Sequence, residues 1–353
     1  MIALSLYKNK KLKLVNKKIS NKVKPKGCRI KILYSGVCAS DIPRAFQSMA
    51  YRYPLVMGHE FVGRVIKTGS KVNKFEIGDL VSAFPLIPCH KCEYCDNTKY
   101  NLCEEYDYYG SRRDGSFSEV LDVNEWNIIK VKENRNSKLY SLMEPTAVSF
   151  NIYENIKNKI NRKTNILILG GGFIGQITFR IIKNFNKNVN INILDRNKFK
   201  LKKINYGKHK KILTSSDSKK NIEIFKSLRN KYDIVIETTG SDEYFLNAID
   251  FAKKTGLVLF SGNINKNLLI KKNEVSNILR KELSIKGVWN STFKSKIDNW
   301  KQAEKFLNTN DDIENLITHI VDLNESANLL KNIYSKKIGK TKNDYLKGLI
   351  KIF

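Results

Sequence analysis

Asn165-Ile166-Leu167-Ile168-Leu169-Gly170-Gly171-Gly172-Phe173-Ile174-Gly175 is an apolar run that meets a glycine turn and opens a helix. Four consecutive apolar residues, Ile166 to Leu169, suit a strand buried on both faces. The turn satisfies G-x-G-x-x-G, and the strand before it and the helix Gln176 to Lys183 after it give the motif its meaning. Gly170 would permit the tight turn, Gly172 would let a pyrophosphate approach the backbone, and Gly175 would let helix pack on strand. The helix N-terminus then faces the anion. Asp195 closes the next strand, twenty residues after Gly175. Its carboxylate would accept hydrogen bonds from ribose hydroxyls and repel a 2′-phosphate, so NAD is expected over NADP. Arg196 pulls the other way, because a guanidinium beside the ribose welcomes that phosphate.

Working outward, apolar strands at Ile191 to Leu194, Ile234 to Glu237 and Leu257 to Phe260 alternate with helical stretches. That rhythm predicts an α/β unit with a doubly wound parallel sheet. Upstream the texture differs: Arg29 to Tyr34, Phe61 to Thr68 and Leu80 to Phe84 are short alternating runs punctuated by Gly and Pro, which predicts a small β-barrel-like domain. Downstream, Asn299 to Leu307 and Glu325 to Ile333 read as helices before a last strand near Gly348 to Ile352. The expected division is residues 1–150, residues 151–287, and a segment 288–353 returning to the first domain. A chain of 353 residues exceeds what one core usually serves.

Hydrophobic residues make up 41% of the chain, enough to fill two cores, yet no run approaches the roughly 20 apolar residues of a membrane span. A cytoplasmic protein with no membrane partner is expected. The net charge of +30 raises the alternative of a zinc-stabilised basic protein that binds nucleic acid. Against it, the lysines are spread along the whole length with no aromatic-interleaved basic module. Nucleic acid is therefore not the expected partner.

Of six cysteines, Cys89, Cys92, Cys95 and Cys103 fall within fifteen residues. Such spacing suits a metal knot rather than a disulfide framework and implies a reducing compartment. Four thiolates close a tetrahedral shell around zinc and leave no room for substrate, so this site should be structural. A second group must be assembled in space: Cys38, the pair His59-Glu60, and Glu144. Taken singly, each has a plain structural reading. Together, a thiolate, an imidazole and a carboxylate can hold zinc with one position open for substrate. Cys28, at the start of a strand, is expected to be structural.

In this order, the cysteine loop, the three-ligand set and the glycine turn resemble the zinc-containing medium-chain dehydrogenases over nearly the whole chain. Within them, the chain looks most like the branch acting on sugar-alcohol phosphates, densely in the first domain and mainly at the motifs in the nucleotide-binding half. Ser35 to Arg44, Tyr53-Pro54, Gly58-His59-Glu60-Phe61, Pro85 to Cys89, Tyr109 to Phe117 and Ile278 to Leu283 carry that closer match. The resemblance implies a GroES-like β-barrel catalytic domain interrupted by a Rossmann domain. It implies two zinc ions per subunit, the catalytic one on Cys38, His59 and Glu144. The implied reaction oxidises a secondary hydroxyl of a sugar-alcohol phosphate, as in galactitol 1-phosphate to tagatose 6-phosphate. Other polyols of the ribitol, arabinitol or sorbitol type leave the same motifs. Ser40 is the candidate for passing the released proton, Glu60 supports the metal or exchanges with a ligand, and Asp41 could orient His59. Arg112 and Arg113, with Arg44 behind them, are candidates for holding a substrate phosphate. A homodimer or homotetramer is implied. Two departures stand out: Ala39 occupies a position where glycine is common, and Lys336 to Tyr345 looks like an insertion.

Overall fold

A computed structural model describes the chain except residues 134–135, 206, 208, 265 and 338–343. The insertion expected at Lys336 to Tyr345 thus falls largely outside the described residues. Two compact units emerge: Met1–Ala147 with Ser291–Phe353, and Val148–Asn290. No helix among the described residues is long and apolar enough to cross a membrane.

The first unit is built on a seven-stranded sheet centred on Gly27–Gly36. Its alternation sets the core: Cys28, Ile30 and Ile32 point inward and are fully buried with Phe61, Val65, Val81 and Val123. Each such aliphatic or aromatic side chain contributes roughly 1.5–3 kcal/mol by leaving water. Between them, Arg29 faces the other way and makes a paired contact with Asp122, directly opposite on strand Val120–Asn124, at 2.7 and 2.8 Å. Two pairings matter for the site. Strand Glu60–Thr68 runs antiparallel to Gly27–Gly36 with Gly36 opposite Glu60. The end of one strand and the start of the other therefore lie side by side, which brings Cys38 and His59 to the same edge. Strand Lys347–Lys351 covers the other side, with Leu349 opposite Gly36.

The second unit is a six-stranded, all-parallel sheet. In spatial order its strands are Lys210–Leu213, Asn190–Asp195, Asn165–Leu169, Tyr232–Glu237, Ala252–Phe260 and Ser284–Gly287. Numbered along the chain this is 3-2-1-4-5-6, the doubly wound order whose direction reverses beside the first strand. Leu167, Leu169, Leu194, Val235 and Val258 are fully buried, as a strand covered on both faces requires. Gly170 adopts φ +108°, which only glycine takes without strain. Gly175, in the first turn of the helix Phe173–Phe185, lies so close to that turn that a Cβ would sit 1.9 Å from the Gly170 carbonyl oxygen. At Gly172 a Cβ would meet nothing within 4 Å, so the backbone there is open to an approaching group.

Candidate active site

The four-cysteine loop is gathered as a metal shell requires. The sulfurs of Cys89, Cys92, Cys95 and Cys103 lie within 4.8 Å of one another, with Cys89 to Cys95 at 3.9 Å and Cys92 to Cys103 at 4.0 Å. A disulfide needs about 2.05 Å, whereas a tetrahedron of ~2.3 Å zinc–sulfur bonds has edges near these values. Backbone N–H groups aimed at Cys92 bring its thiol down to about 7, so a thiolate is readily available. His90 turns the loop at φ +58° and packs against Trp126, ring centres 4.8 Å apart.

At the sheet edge, Cys38, His59 and Glu60 offer ligand atoms within 4.8 Å of one another. Burial, reinforced by the carboxylates of Glu60, Asp41 and Glu144, pushes the Cys38 thiol up to about 12. A metal binding there must displace that proton, as a cation among several acids can. The Ser40 hydroxyl donates to the Cys38 sulfur at 3.3 Å. His59 is buried, and its Nδ1 has no hydrogen-bond partner among the described residues, which is costly for a polar atom unless something else satisfies it. Asp41 is 3.8 Å from that nitrogen, too far for a hydrogen bond. Its two oxygens instead accept from the Cys38 N–H at 3.0 Å and from Arg44 at 2.8 Å. Asp41 thus fixes the Cys38 turn and does not hydrogen-bond the imidazole.

Two glutamates face this centre in different surroundings. Glu60 forms a buried ion pair with Lys347, whose ammonium also donates to the Val37 carbonyl at 3.0 Å. Gly36 makes room for it, since a Cβ there would sit 2.2 Å from the Glu60 carboxylate. Glu144 opens the helix Met143–Glu154 and accepts from the Tyr108 hydroxyl at 3.3 Å. Burial raises its carboxyl to about 7, with nearby His59 opposing and Glu60 adding to the rise. The tight group therefore contains Cys38 and His59 with Glu60 as its acid, while Glu144 stands beside it. The donor set of one sulfur, one imidazole and carboxylate oxygen suits zinc.

Lys347 and Tyr108 belong to this neighbourhood although the sequence did not mark them. A single charge inside Leu346-Lys347-Gly348-Leu349-Ile350 was the signal for the first. Tyr108 shows no such signal; its ring meets His59 edge-on at 5.7 Å only because Asp107–Tyr108 pairs with Leu86–Ile87. Of the three arginines, Arg44 is held by Asp41 and Arg113 by Asp107 at 2.6 Å. Arg112 lies over the rings of Tyr51 and Tyr106.

In the second unit, Asp195 is buried at the end of its strand. Its oxygens accept from the N–H groups of Gly171 and Asn197, both at 2.7 Å. This ties the acid to the glycine turn, with Arg196 exposed next to it.

Comparison with known proteins places these features in a family. Residues 24–133 match the alcohol dehydrogenase GroES-like domain, and residues 174–309 match the zinc-binding dehydrogenase family. Galactitol 1-phosphate 5-dehydrogenase of Escherichia coli strain K12 is 30% identical over 312 residues, covering 86% of this chain and 88% of its own length. A sorbitol dehydrogenase of Halalkalibacterium halodurans is 28% identical over 306 residues, covering 84% and 85%. The crystal structure of galactitol-1-phosphate dehydrogenase from Escherichia coli superposes with a TM-score of 0.86 at 26% identity, covering 99% of each chain. A GroES-like unit, a Rossmann unit and this breadth of similarity lead to one conclusion: the chain belongs to the zinc-containing medium-chain dehydrogenases, nicotinamide-linked oxidoreductases of alcohols and polyols.

Proposed function

We propose that this enzyme interconverts a sugar-alcohol phosphate and a ketose phosphate with NAD, galactitol 1-phosphate and tagatose 6-phosphate being the favoured pair. The observation that carries this reading is the convergence of Cys38 and His59 with two buried acids at one sheet edge. Cys38, His59 and Glu144 would hold the catalytic zinc, and Cys89, Cys92, Cys95 and Cys103 a structural one. Glu60 carries its own counter-charge in Lys347, which leaves Glu144 the better candidate for the third ligand. When bound, zinc supplies the Lewis acidity that makes a substrate hydroxyl easier to deprotonate, and the nicotinamide supplies a hydride acceptor. Within the chain, Ser40 is positioned to take the hydroxyl proton and pass it outward, since its oxygen lies beside Cys38. Gly170, Gly172 and Gly175 would receive the dinucleotide, and Asp195 would favour NAD by repelling a 2′-phosphate. The reading places the enzyme in the cytoplasm as a homo-oligomer.

The test is NADH formation by purified enzyme against free and phosphorylated galactitol, sorbitol, ribitol and arabinitol, before and after chelation. Zinc analysis should give two ions per chain in the wild type and one in Cys38→Ala and Glu144→Ala, with activity down by at least about a thousandfold, the scale of losing a transition-state charge stabiliser. Full turnover after the catalytic ion is removed, or a preference for a free polyol such as sorbitol, would refute the respective part of the reading.

A further inference from the structure

We propose that Arg112, held against the rings of Tyr51 and Tyr106, reads the phosphate of the substrate; this rests on the polyol-phosphate reading above. Its two sequence neighbours in role are already committed to carboxylates, Arg44 to Asp41 and Arg113 to Asp107. Arg112 has no carboxylate partner among the described residues. Its guanidinium carbon lies 4.3 Å from the centre of the Tyr106 ring and 4.9 Å from that of Tyr51. One N–H donates to the Tyr106 carbonyl at 3.2 Å.

The type of partner decides what the arginine can still do. A carboxylate fills the guanidinium fork and cancels its charge. Ring faces hold the cation through their quadrupoles and leave both the charge and the donor edge available. A planar fork that rests on rings and keeps the N–H groups it does not give to the Tyr106 carbonyl can match two oxygens of a phosphate at once. Tyr51 is 67% exposed, so this arrangement opens to solvent, where a dissolved anion can reach it.

Its position is set by the same residues that build the metal centre. The backbone N–H groups of Arg112 and Arg113 both donate to the Tyr108 carbonyl, at 3.0 and 3.1 Å. The Tyr108 side chain in turn donates to Glu144 and packs against His59. From His59 the path to Arg112 runs through Tyr108 and Tyr106 in steps of 5.7, 6.3 and 4.3 Å. These steps bound the separation from above and tie the guanidinium to the metal centre through one chain of packed rings. The far side of the turn is pinned by Asp114, which accepts from the Val56 N–H at 2.9 Å and pairs with Lys17. The arrangement is thus organised before any substrate arrives, which lowers the ordering cost of binding.

Initial rates with galactitol 1-phosphate and galactitol, on the same zinc-loaded preparations, test the assignment. In Arg112→Ala the ratio of kcat/KM for the phosphorylated over the free polyol should fall at least tenfold, through KM for the phosphate ester. Inorganic phosphate should compete with the ester in the wild type and lose at least tenfold in potency in the variant. Arg112→Lys, which keeps the charge without the plane, should lie between, and Tyr106→Leu should lower the ratio about two- to fivefold. Arg112→Gln serves as the second variant should Arg112→Ala fail to fold. A ratio within twofold of the wild-type value in both, with the wild type still preferring the ester, overturns the role of Arg112 alone. A wild type indifferent to the phosphate overturns the substrate reading and this assignment together.

Discussion

At the scale of single residues, the Glu60–Lys347 pair is the least forgiving feature of the centre. Both partners are buried, at 1% and 4% side-chain exposure, so neither charge can turn to water if the other is removed. Glu60→Gln should therefore lower stability by about 3–5 kcal/mol, while adding Lys347→Met to it should recover much of the loss. Thermal unfolding of the two variants beside the wild type measures this, and equal destabilisation in both would show the pair to be of no consequence. Residues of this kind explain what the sequence could and could not disclose. Cys38, His59 and the four-cysteine loop stand out because their side chains have few other uses in such spacing. Lys347 is one lysine among many in a chain of net charge +30, and only the fold shows that this one is inside.

At the scale of elements, legibility followed burial. The central strands of the parallel sheet are continuous apolar runs and are plain in the sequence. Lys210–Leu213 and Ser284–Gly287 are not, since they are edge strands with mostly exposed side chains and so carry no two-sided pattern. Strand Tyr232–Glu237 ends on a buried acid that organises the loop after it. Glu237 accepts from the Thr239 and Gly240 N–H groups and from the Thr239 hydroxyl. Burial nonetheless raises its carboxyl above the usual glutamate value. Between the unfolded value of about 4.3 and the raised one, the folded chain keeps a proton that the unfolded chain has lost, so stability falls as pH rises through that window. Relative to Glu237→Gln, which does not titrate, the wild type should gain Tm as pH drops from 7 towards 4.5. Melting curves at a series of pH values check the sign; a constant difference would mean the raised carboxyl has no linkage to folding.

At the scale of the whole molecule, the unfinished edge of the second unit bears on assembly. Ser284–Gly287 pairs with Ala252–Phe260 on one side and with no strand on the other among the described residues. Close to it in sequence, Val275, Leu279, Ile285 and Trp289 are exposed apolar side chains. An open edge with such neighbours invites pairing with a second copy. Light scattering should find the wild type as an oligomer and Leu279→Glu with Ile285→Lys as a smaller species; an unchanged mass would remove this edge from the interface. The two-unit fold itself was legible because each unit has its own period, alternation in one and strand–turn–helix in the other. Which carboxylate joins Cys38 and His59 in the tight group was not legible, since it depends on the register of Gly36 against Glu60.

That register also has a temporal side. The ribosome adds 287 residues after Glu60 before its counter-ion is made, a delay of roughly 15–60 s at ordinary elongation rates. Throughout it, the Tyr34 to Gly36 end of strand Gly27–Gly36 waits for its last partner while the Rossmann unit is made. A nascent chain stalled before Lys347 would hold a buried anion with no cation to meet it, and such products should be those that chaperones and proteases hold longest.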